Sequence, residues 1–353
     1  MRVKLLAALS VVAIAAGIST SSARASFPGG NGRLVVSLQG CAFGTSHLAT
    51  MPWRGGGLKP ITPPCEGRYD EEDDETYYRS VFSPDAGPGG TSIVAYQRGF
   101  GEYGLVTLGA DGSDRHFVPL PATVSPSGLP SFGPDGKHFA FASNSAPAGI
   151  WTAGVDGSDV ESRVPDRCDG GCGLLYAPRW SPDGKLVAVQ VSEREGPRGE
   201  RSPVAPGIWL ARMRDGELVR RVSKSIGTVD WSPDGRWLVY GTRYEHRDDV
   251  GGARGGNLYV VRRDGKHRRT LVHRKGLAET WPRWSPDGRW IAWVSLDFSA
   301  GDAQFAVYPS LWRIKVRGGK PRFVDNLPYP DVEEGFFSAP SISWLAKSEG
   351  GSL

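Results

Sequence analysis

RWSPDGRWIAWVS (283–295) reads as a strand ending in an aromatic, a four-residue turn and a second, apolar strand. In Ser-Pro-Asp-Gly the proline presets φ at about −65°, the aspartate accepts a backbone N–H, and the glycine takes the positive-φ position. The pattern recurs in VFSPDAGPGGTSIVAY (81–96), SFGPDGKHFAFAS (131–143), RWSPDGKLVAVQV (179–191) and DWSPDGRWLVYGT (230–242). Pro84, Pro134, Pro182, Pro233 and Pro286 follow one another at intervals of 50, 48, 51 and 53 residues. A period of about fifty is too long for leucine-rich or ankyrin repeats and suits a propeller blade. The turn residues with a structural role are then Pro84 and Asp85, Pro134 with Asp135 and Gly136, and Pro182 with Asp183 and Gly184. Pro233 with Asp234 and Gly235, and Pro286 with Asp287 and Gly288, complete the set. An aromatic precedes each turn: Phe82, Phe132, Trp180, Trp231 and Trp284. The run after a turn, such as Leu186-Val187-Ala188-Val189, is apolar on both faces and belongs between two sheets.

Six segments carry a second half-motif: an apolar run, a glycine-containing turn and another run. GIWLARMRDGELVRRV (207–222) and NLYVVRRDGKHRRTLV (257–272) are the clearest. This is the hairpin signal. Each repeat therefore reads as a four-stranded blade, in an all-β protein. The chain opens on NGRLVVSLQ (31–39), a second strand without its first, and closes on APSISWLA (339–346), a first strand without its second. Pro340-Ser341-Ile342 is placed against Pro178-Arg179-Trp180. Pairing these ends completes a sixth blade and removes open sheet edges. The expected fold is a six-bladed β-propeller of four-stranded blades, closed by the C-terminal strand.

WSPDGR with its trailing hairpin resembles the PD40, or WD40-like, repeats of TolB-like β-propellers, over about residues 27–346. The resemblance is specific for fold and only weakly so for function. TolB itself has an α/β domain ahead of its propeller, whereas the blades here begin soon after a leader-like segment. Serine peptidases with similar propellers add a second α/β domain carrying the nucleophile, and only seven residues follow position 346.

Residues 1–25 show the pattern of a secretory signal peptide. Arg2 and Lys4 precede an apolar run from Leu5 to Ile18, and Ala23-Arg24-Ala25 ends a small, polar tail. The domain expectation is a signal peptide over 1–25, a propeller over 26–348 and a short tail over 349–353. The protein is expected to be exported, to the periplasm or beyond. No later apolar stretch is long enough to span a membrane. The formal charge of +4 comes from 42 basic and 38 acidic residues; three of the basic ones lie in 1–25, leaving 39 against 38. The mature balance gives no reason to expect nucleic acid or a charged membrane surface. Cys41, Cys65, Cys168 and Cys172 are an even number in an exported chain, which favours disulfides. Cys168 and Cys172, in RCDGGCG, form the natural small loop, and Cys41 and Cys65 are the remaining pair.

Strand directions put the Ser-Pro-Asp-Gly and Asp-Gly turns on one face and the long loops 63–78, 192–206, 243–256, 296–309 and 325–338 on the other. Function is expected on this variable rim, around the mouth of the central channel. The first loop carries Tyr69, Asp70, Glu71, Glu72, Asp73, Asp74, Glu75, Thr76, Tyr77 and Tyr78. Its carboxylates could hold Ca2+ through oxygen ligands, but lack EF-hand spacing, so solvation or pairing with arginine is the default. The flanking tyrosines favour a partner over bare solvation. A second loop offers Arg243, Tyr244, His246 and Arg247 beside Asp248 and Asp249; its bland reading is an exposed, charged loop. The 192–201 loop, with mixed charges, reads as a solvated insertion.

No H-E-x-x-H, G-x-S-x-G or P-loop occurs. No catalytic residue, metal ligand or cofactor is expected, Ca2+ being the one candidate. The first function is a non-enzymatic scaffold that binds a protein or cell-envelope component, as a monomer. The alternative is a propeller enzyme acting on polysaccharide, a lyase or glycoside hydrolase, with its site at the channel mouth. Trp151, Trp209, Trp281, Trp290, Trp293 and Trp312 occupy blade positions and are expected in the core.

Overall fold

The structure is a computed structural model. It describes residues 28–40, 45–64, 66–70, 75–143, 148–166, 175–192, 204–242, 245–247, 252–254, 256–297, 308–328 and 340–347. All four cysteines, and so both proposed disulfides, lie outside the described residues, as do the leader 1–25 and the tail 349–353. Among the described residues no helix is long and apolar enough to cross a membrane.

Six antiparallel sheets follow one another along the chain. Blade 1 is Ile342–Ala346, Asn31–Gln39, Ser46–Pro52 and Lys59–Pro60, inner strand first. Blade 2 is Glu75–Ala86, Ser92–Gly99, Glu102–Gly109 and His116–Phe117, with Glu66–Asp70 added to the start of its long inner strand. Blades 3 and 4 begin at Pro126–Phe132 and Leu175–Trp180, and blades 5 and 6 at Val229–Trp231 and Leu277–Trp284. Each has four strands in simple up-and-down order.

What joins the blades is apolar. Six clusters of buried side chains fill the spaces between consecutive sheets. Val94 and Leu105 of blade 2 meet Phe132, Phe139 and Phe141 of blade 3, for example, and Val239 and Leu258 of blade 5 meet Trp284, Ile291 and Trp293 of blade 6. The strand after each turn supplies both faces, so Val187 and Val189 pack toward blade 3 while Ala188 packs toward blade 5. A strand buried on both sides has no room for alternation with polar residues.

The ring closes as the chain ends require. Ile342–Ala346 pairs antiparallel with Asn31–Gln39, with Leu34 opposite Trp344 and Val36 opposite Ile342. A single cluster then joins Leu34, Val36 and Trp344 of blade 1 to Ala292, Val294 and Leu311 of blade 6. Trp53 reinforces the seam, with ring centroids 5.7 Å from Trp290 and 5.9 Å from Trp344. The register differs from the expected one by two residues. Ser343-Trp344, not Ser341-Ile342, takes the place of Arg179-Trp180, because Trp344 faces Leu34 as Trp180 faces Val187.

Four turns have the expected chemistry. Asp135, Asp183, Asp234 and Asp287 each accept the backbone N–H two residues on, at 2.9–3.1 Å. Gly136, Gly184, Gly235 and Gly288 have φ of 67°, 70°, 65° and 69°. Pro134, Pro182, Pro233 and Pro286 sit in these turns, and each of the first three faces the turn glycine of the next blade.

The fifth expected turn is a correction. Pro84 and Asp85 lie inside the inner strand Glu75–Ala86, and the blade 2 turn is Gly87–Gly90, closed by Gly90 N–H on Gly87 O. Here Pro-Gly-Gly supplies the turn geometry four residues later, so the earlier Ser-Pro-Asp match is fortuitous. Ala86, not Phe82, takes the place of the aromatic, pairing with Ile93 as Trp180 pairs with Val187. Of the six tryptophans expected in the core only Trp293 is fully buried; the other five are half-buried, while Trp231, Trp284 and Trp344 are the buried ones.

Candidate functional site: the channel and its two mouths

The residue just before each aromatic position points into the channel. Going round the ring these are Ser343, Asp85, Ser131, Arg179, Asp230 and Arg283, one per blade, and all six line one cavity. The strand geometry dictates this. Side chains alternate along an inner strand, so if the aromatic packs between blades its predecessor faces the axis.

The ring residues also stitch neighbouring blades. Where the residue can accept, it takes the backbone N–H of the next blade's aromatic position. Ser343 Oγ accepts from Ala86 (3.1 Å), Asp85 Oδ2 from Phe132 (2.9 Å), Ser131 Oγ from Trp180 (3.2 Å) and Asp230 Oδ2 from Trp284 (2.8 Å). Arginine has no acceptor. After Arg179 and Arg283 the next blade's indole donates instead to the arginine carbonyl: Trp231 Nε1 to Arg179 O at 2.9 Å and Trp344 Nε1 to Arg283 O at 3.2 Å.

The charges are not evenly satisfied. Arg179 Nη1 meets Asp85 Oδ1 at 2.5 Å, and its Nη2 meets Asp230 Oδ1 at 2.8 Å. Burial opposes its charge, but the two carboxylates outweigh burial and raise its pKa. Arg283 has no carboxylate partner among the described residues. Its one hydrogen bond is a long one, Nη1 to Pro282 O at 3.4 Å, and its buried Nε has no partner. Burial, followed by the like charge of Arg179, pushes its pKa down to about 10, against the pull of Asp230 and Asp85.

Arg179 and Arg283 divide the channel. On the short-turn side the cavity, walled by Trp180, Trp284 and Trp344, leaves about 20 Å³, room for about one water. On the long-loop side a second space of about 20 Å³ is lined by Pro84, Pro130, Pro178, Thr228 and Trp281.

Those of the loop residues singled out from sequence that the structure describes fall at the long-loop mouth, on two hairpins. Tyr69 and Asp70 end the strand Glu66–Asp70, and Tyr77 and Tyr78 lie in its partner, in a register that sets Tyr69 opposite Thr76. Tyr78 is exposed. Arg79 ties the base of this hairpin to Glu66, which also receives Arg115 at 2.9 Å. Glu71, Glu72, Asp73 and Asp74 lie outside the described residues. The second hairpin pairs Glu245–Arg247, which holds His246 and Arg247, with Gly252–Arg254. Arg243 and Tyr244 lie outside the described residues. The first hairpin rises from blade 2 and the second from blade 5, which are opposite in a ring of six. The structure therefore sets the two groups across the channel from each other instead of merging them.

The channel ring was missed by sequence reasoning. Its signal was present: in RWSPDG and DWSPDG a charged residue sits immediately before the tryptophan that ends the inner strand. The misplaced blade 2 turn hid Asp85. Among the described residues no three His, Cys, Asp or Glu side chains converge as a metal site would require.

No protein-family model matches the chain. An uncharacterized protein of Agrobacterium fabrum is 27% identical over 218 residues, which are 61% of this chain and 62% of that protein's length. Among solved structures, TolB from Acinetobacter baumannii is similar with a TM-score of 0.57 and 18% identity, over 90% of this chain and 67% of that one. A structure from Agrobacterium tumefaciens, described as a TolB, gives 0.55 and 17% over 85% and 90%. A chain of a nidogen/laminin complex gives 0.55 and 10% over 90% and 99%. The fold is that of a TolB-like six-bladed propeller.

Proposed function

We propose that this chain is an exported, non-enzymatic binding propeller that meets a protein or cell-envelope component on its long-loop rim. The observation that carries the reading is the pair of hairpins raised on opposite sides of the channel mouth, 66–79 and 245–254. They extend beyond the blades and bear the aromatic and charged residues that suit a partner surface: Tyr69, Asp70, Tyr77, Tyr78, His246 and Arg247. A rigid ring loses little freedom on binding. The similarity to a propeller solved within a nidogen/laminin complex is in keeping with this use of the fold. The enzyme alternative has less to draw on. The channel carboxylates Asp85 and Asp230 are both engaged by Arg179, and no histidine joins them among the described residues.

The test is capture from cell-envelope fractions by the purified chain, with and without serine at the acidic positions of 70–75. Loss of a saturable partner in the serine variant, with an unchanged melting temperature, supports the rim. Equal capture by both proteins refutes it. Chelation in the same assay decides whether Ca2+ takes part through the acidic run. Mass analysis of the protein recovered outside the cytoplasm tests removal of residues 1–25.

A further inference from the structure

We propose that the short-turn face of blade 6 is a docking groove for a second copy of this chain, which enters it with the acidic tip of its blade 2 hairpin. The groove takes no part in the rim reading, so each can fail without the other.

The groove is open, about 630 Å³ in volume, and lined by Gly288, Arg289, Trp290, Lys315, Val316 and Arg317. It holds three cations and no acid. Trp290 gathers more charge at its border. Arg313 and Arg322 lie over its ring at 5.1 and 5.6 Å, and Lys315 at 5.9 Å. Across the seam Trp53 of blade 1, 5.7 Å from Trp290, carries Arg54 at 4.9 Å. Arg313 and Arg322 are directly opposite on neighbouring strands, where like charges destabilise a sheet. The rings attract these cations but bring no negative charge. Arg313 Nε is buried without an acceptor, and burial, then Arg322 and Arg54, lowers the pKa of its guanidinium. Elsewhere on this face the arginines are paired: Arg163 with Glu161, Arg212 with Asp215 and Arg262 with Asp264. Among the described residues no carboxylate pairs with Arg54, Arg289, Arg313, Lys315, Arg317 or Arg322.

The matching charge stands on the other face of the same chain. Asp70, Glu71, Glu72, Asp73, Asp74 and Glu75 are consecutive. The strands Glu66–Asp70 and Glu75–Arg79 carry this run five residues beyond the blade pair Ser80–Arg98, about 17 Å. Asp70 is set opposite Glu75, so the tip too is held against its own repulsion. Each surface supplies what the other lacks, and one molecule cannot join them, because they lie at opposite ends of the channel. The contact is therefore head to tail. A turn by two blades about a shared axis sets blade 2 of one copy over blade 6 of the next. Residues 26–353 carry 39 basic and 38 acidic side chains, so net charge does not oppose the approach.

The experiment is sedimentation velocity of the purified chain from about 10 to 500 µM, at roughly 50 mM and 500 mM salt. The expected result is species larger than a monomer that grow with concentration at low salt and revert at high salt. The monomer expected from the sequence is then the high-salt form. Two variants divide the contact. One has serine at the six acidic positions of 70–75; the other combines Arg289→Ser, Lys315→Ser and Arg317→Ser, all at exposed positions. Each alone should associate at least about tenfold more weakly than wild type. Mixed, they should form a one-to-one pair that grows no further, since one keeps the groove and the other the acidic tip. The groove variant should still capture envelope partners as wild type does, which separates this proposal from the rim reading. A wild-type chain that stays monomeric at low salt overturns the proposal, as does unchanged association of the groove variant or a mixture that forms no pair. Binding of dextran sulfate by a chain that stays monomeric gives the groove to an anionic polymer and overturns a second copy as its occupant. If the triple variant does not fold, Arg317→Ser, which lies in a turn, decides with the same salt series.

Discussion

Replacing Asp85 with alanine removes a group on which four blades converge. Asp85 is 4% exposed and belongs to blade 2; its Oδ2 holds Phe132 N–H of blade 3, and its Oδ1 holds Arg179 of blade 4 and the Ser343 hydroxyl of blade 1. The cost can be worked contact by contact. Leaving the Phe132 N–H buried and unpaired costs about 1–3 kcal/mol. Taking one partner from a buried ion pair costs about 3–5 kcal/mol when it is the only partner, and about half that here, because Asp230 still holds Arg179. The serine hydroxyl can rotate and adds little. The sum is about 4 kcal/mol, a large share of the roughly 5–15 kcal/mol that keeps a domain folded. Asp85→Asn keeps one oxygen acceptor of the same shape and should cost about half as much. The assay is urea unfolding followed by tryptophan fluorescence, with the Arg179→Met single and Asp85→Ala/Arg179→Met double variants completing a cycle. A coupling of about 2 kcal/mol is expected between the two residues. If Asp85→Ala falls within about 1 kcal/mol of wild type, or the cycle shows no coupling, the ring does not hold the blades in the way described.

Trp344→Ala should cost about 3–5 kcal/mol, since it empties the seam between blades 1 and 6 and removes the indole bond to Arg283 O; a melting scan with light scattering should show earlier unfolding and association through the opened edge. Gly89 and Gly90 have similar positive φ, but a Cβ at Gly89 meets nothing, whereas one at Gly90 lands 2.0 Å from the Ala346 carbonyl oxygen. Gly89→Ala should therefore lose about 1 kcal/mol, for the left-handed backbone alone, and Gly90→Ala clearly more in the same melting assay. His138 is held to Asp135 at 2.6 Å, and that bond raises its pKa above 6.5 against the effect of burial. Its contribution is complete below 6.5 and lost as pH rises through the raised value. Asp135 keeps its own contribution above 3.8 and loses it as pH falls through its lowered value, which its hydrogen bonds set against burial. Both groups are partly exposed, so a few tenths of a kcal/mol are at stake, and His138→Gln should flatten the alkaline side of the melting profile by that amount.

Much of this fold is legible in one dimension. A turn such as Ser181-Pro182-Asp183-Gly184 is closed by its own four residues, and a doubly apolar strand such as Leu186–Val191 can only be an interior one. These are local properties, and their repetition implies blades. The split blade was legible because the two chain ends carry complementary halves of one motif. Its register was not, since Pro340 resembles Pro178 in type, while the true partner is chosen by Trp344 packing against Leu34 and Met51 between blades. Blade 2 misled for the same reason: Ser83-Pro84-Asp85 has turn chemistry, but the turn goes where the strand pairing runs out, at Gly87–Gly90.

The chain's local chemistry was enough to determine repeats, strand order, closure and the rim on which long loops collect. Only the tertiary structure decided what the axis contains. Whether an arginine before a tryptophan is paired depends on residues some 50 to 100 positions away, brought together by the ring, as Asp85 and Asp230 are around Arg179. Arg179 and Arg283 stand in the same sequence context, Arg-Trp-Ser-Pro-Asp-Gly, and differ in that the ring bonds two carboxylates to one of them and, among the described residues, none to the other. Electrostatic pairing in a closed ring is a property of the circle, and no single repeat contains it.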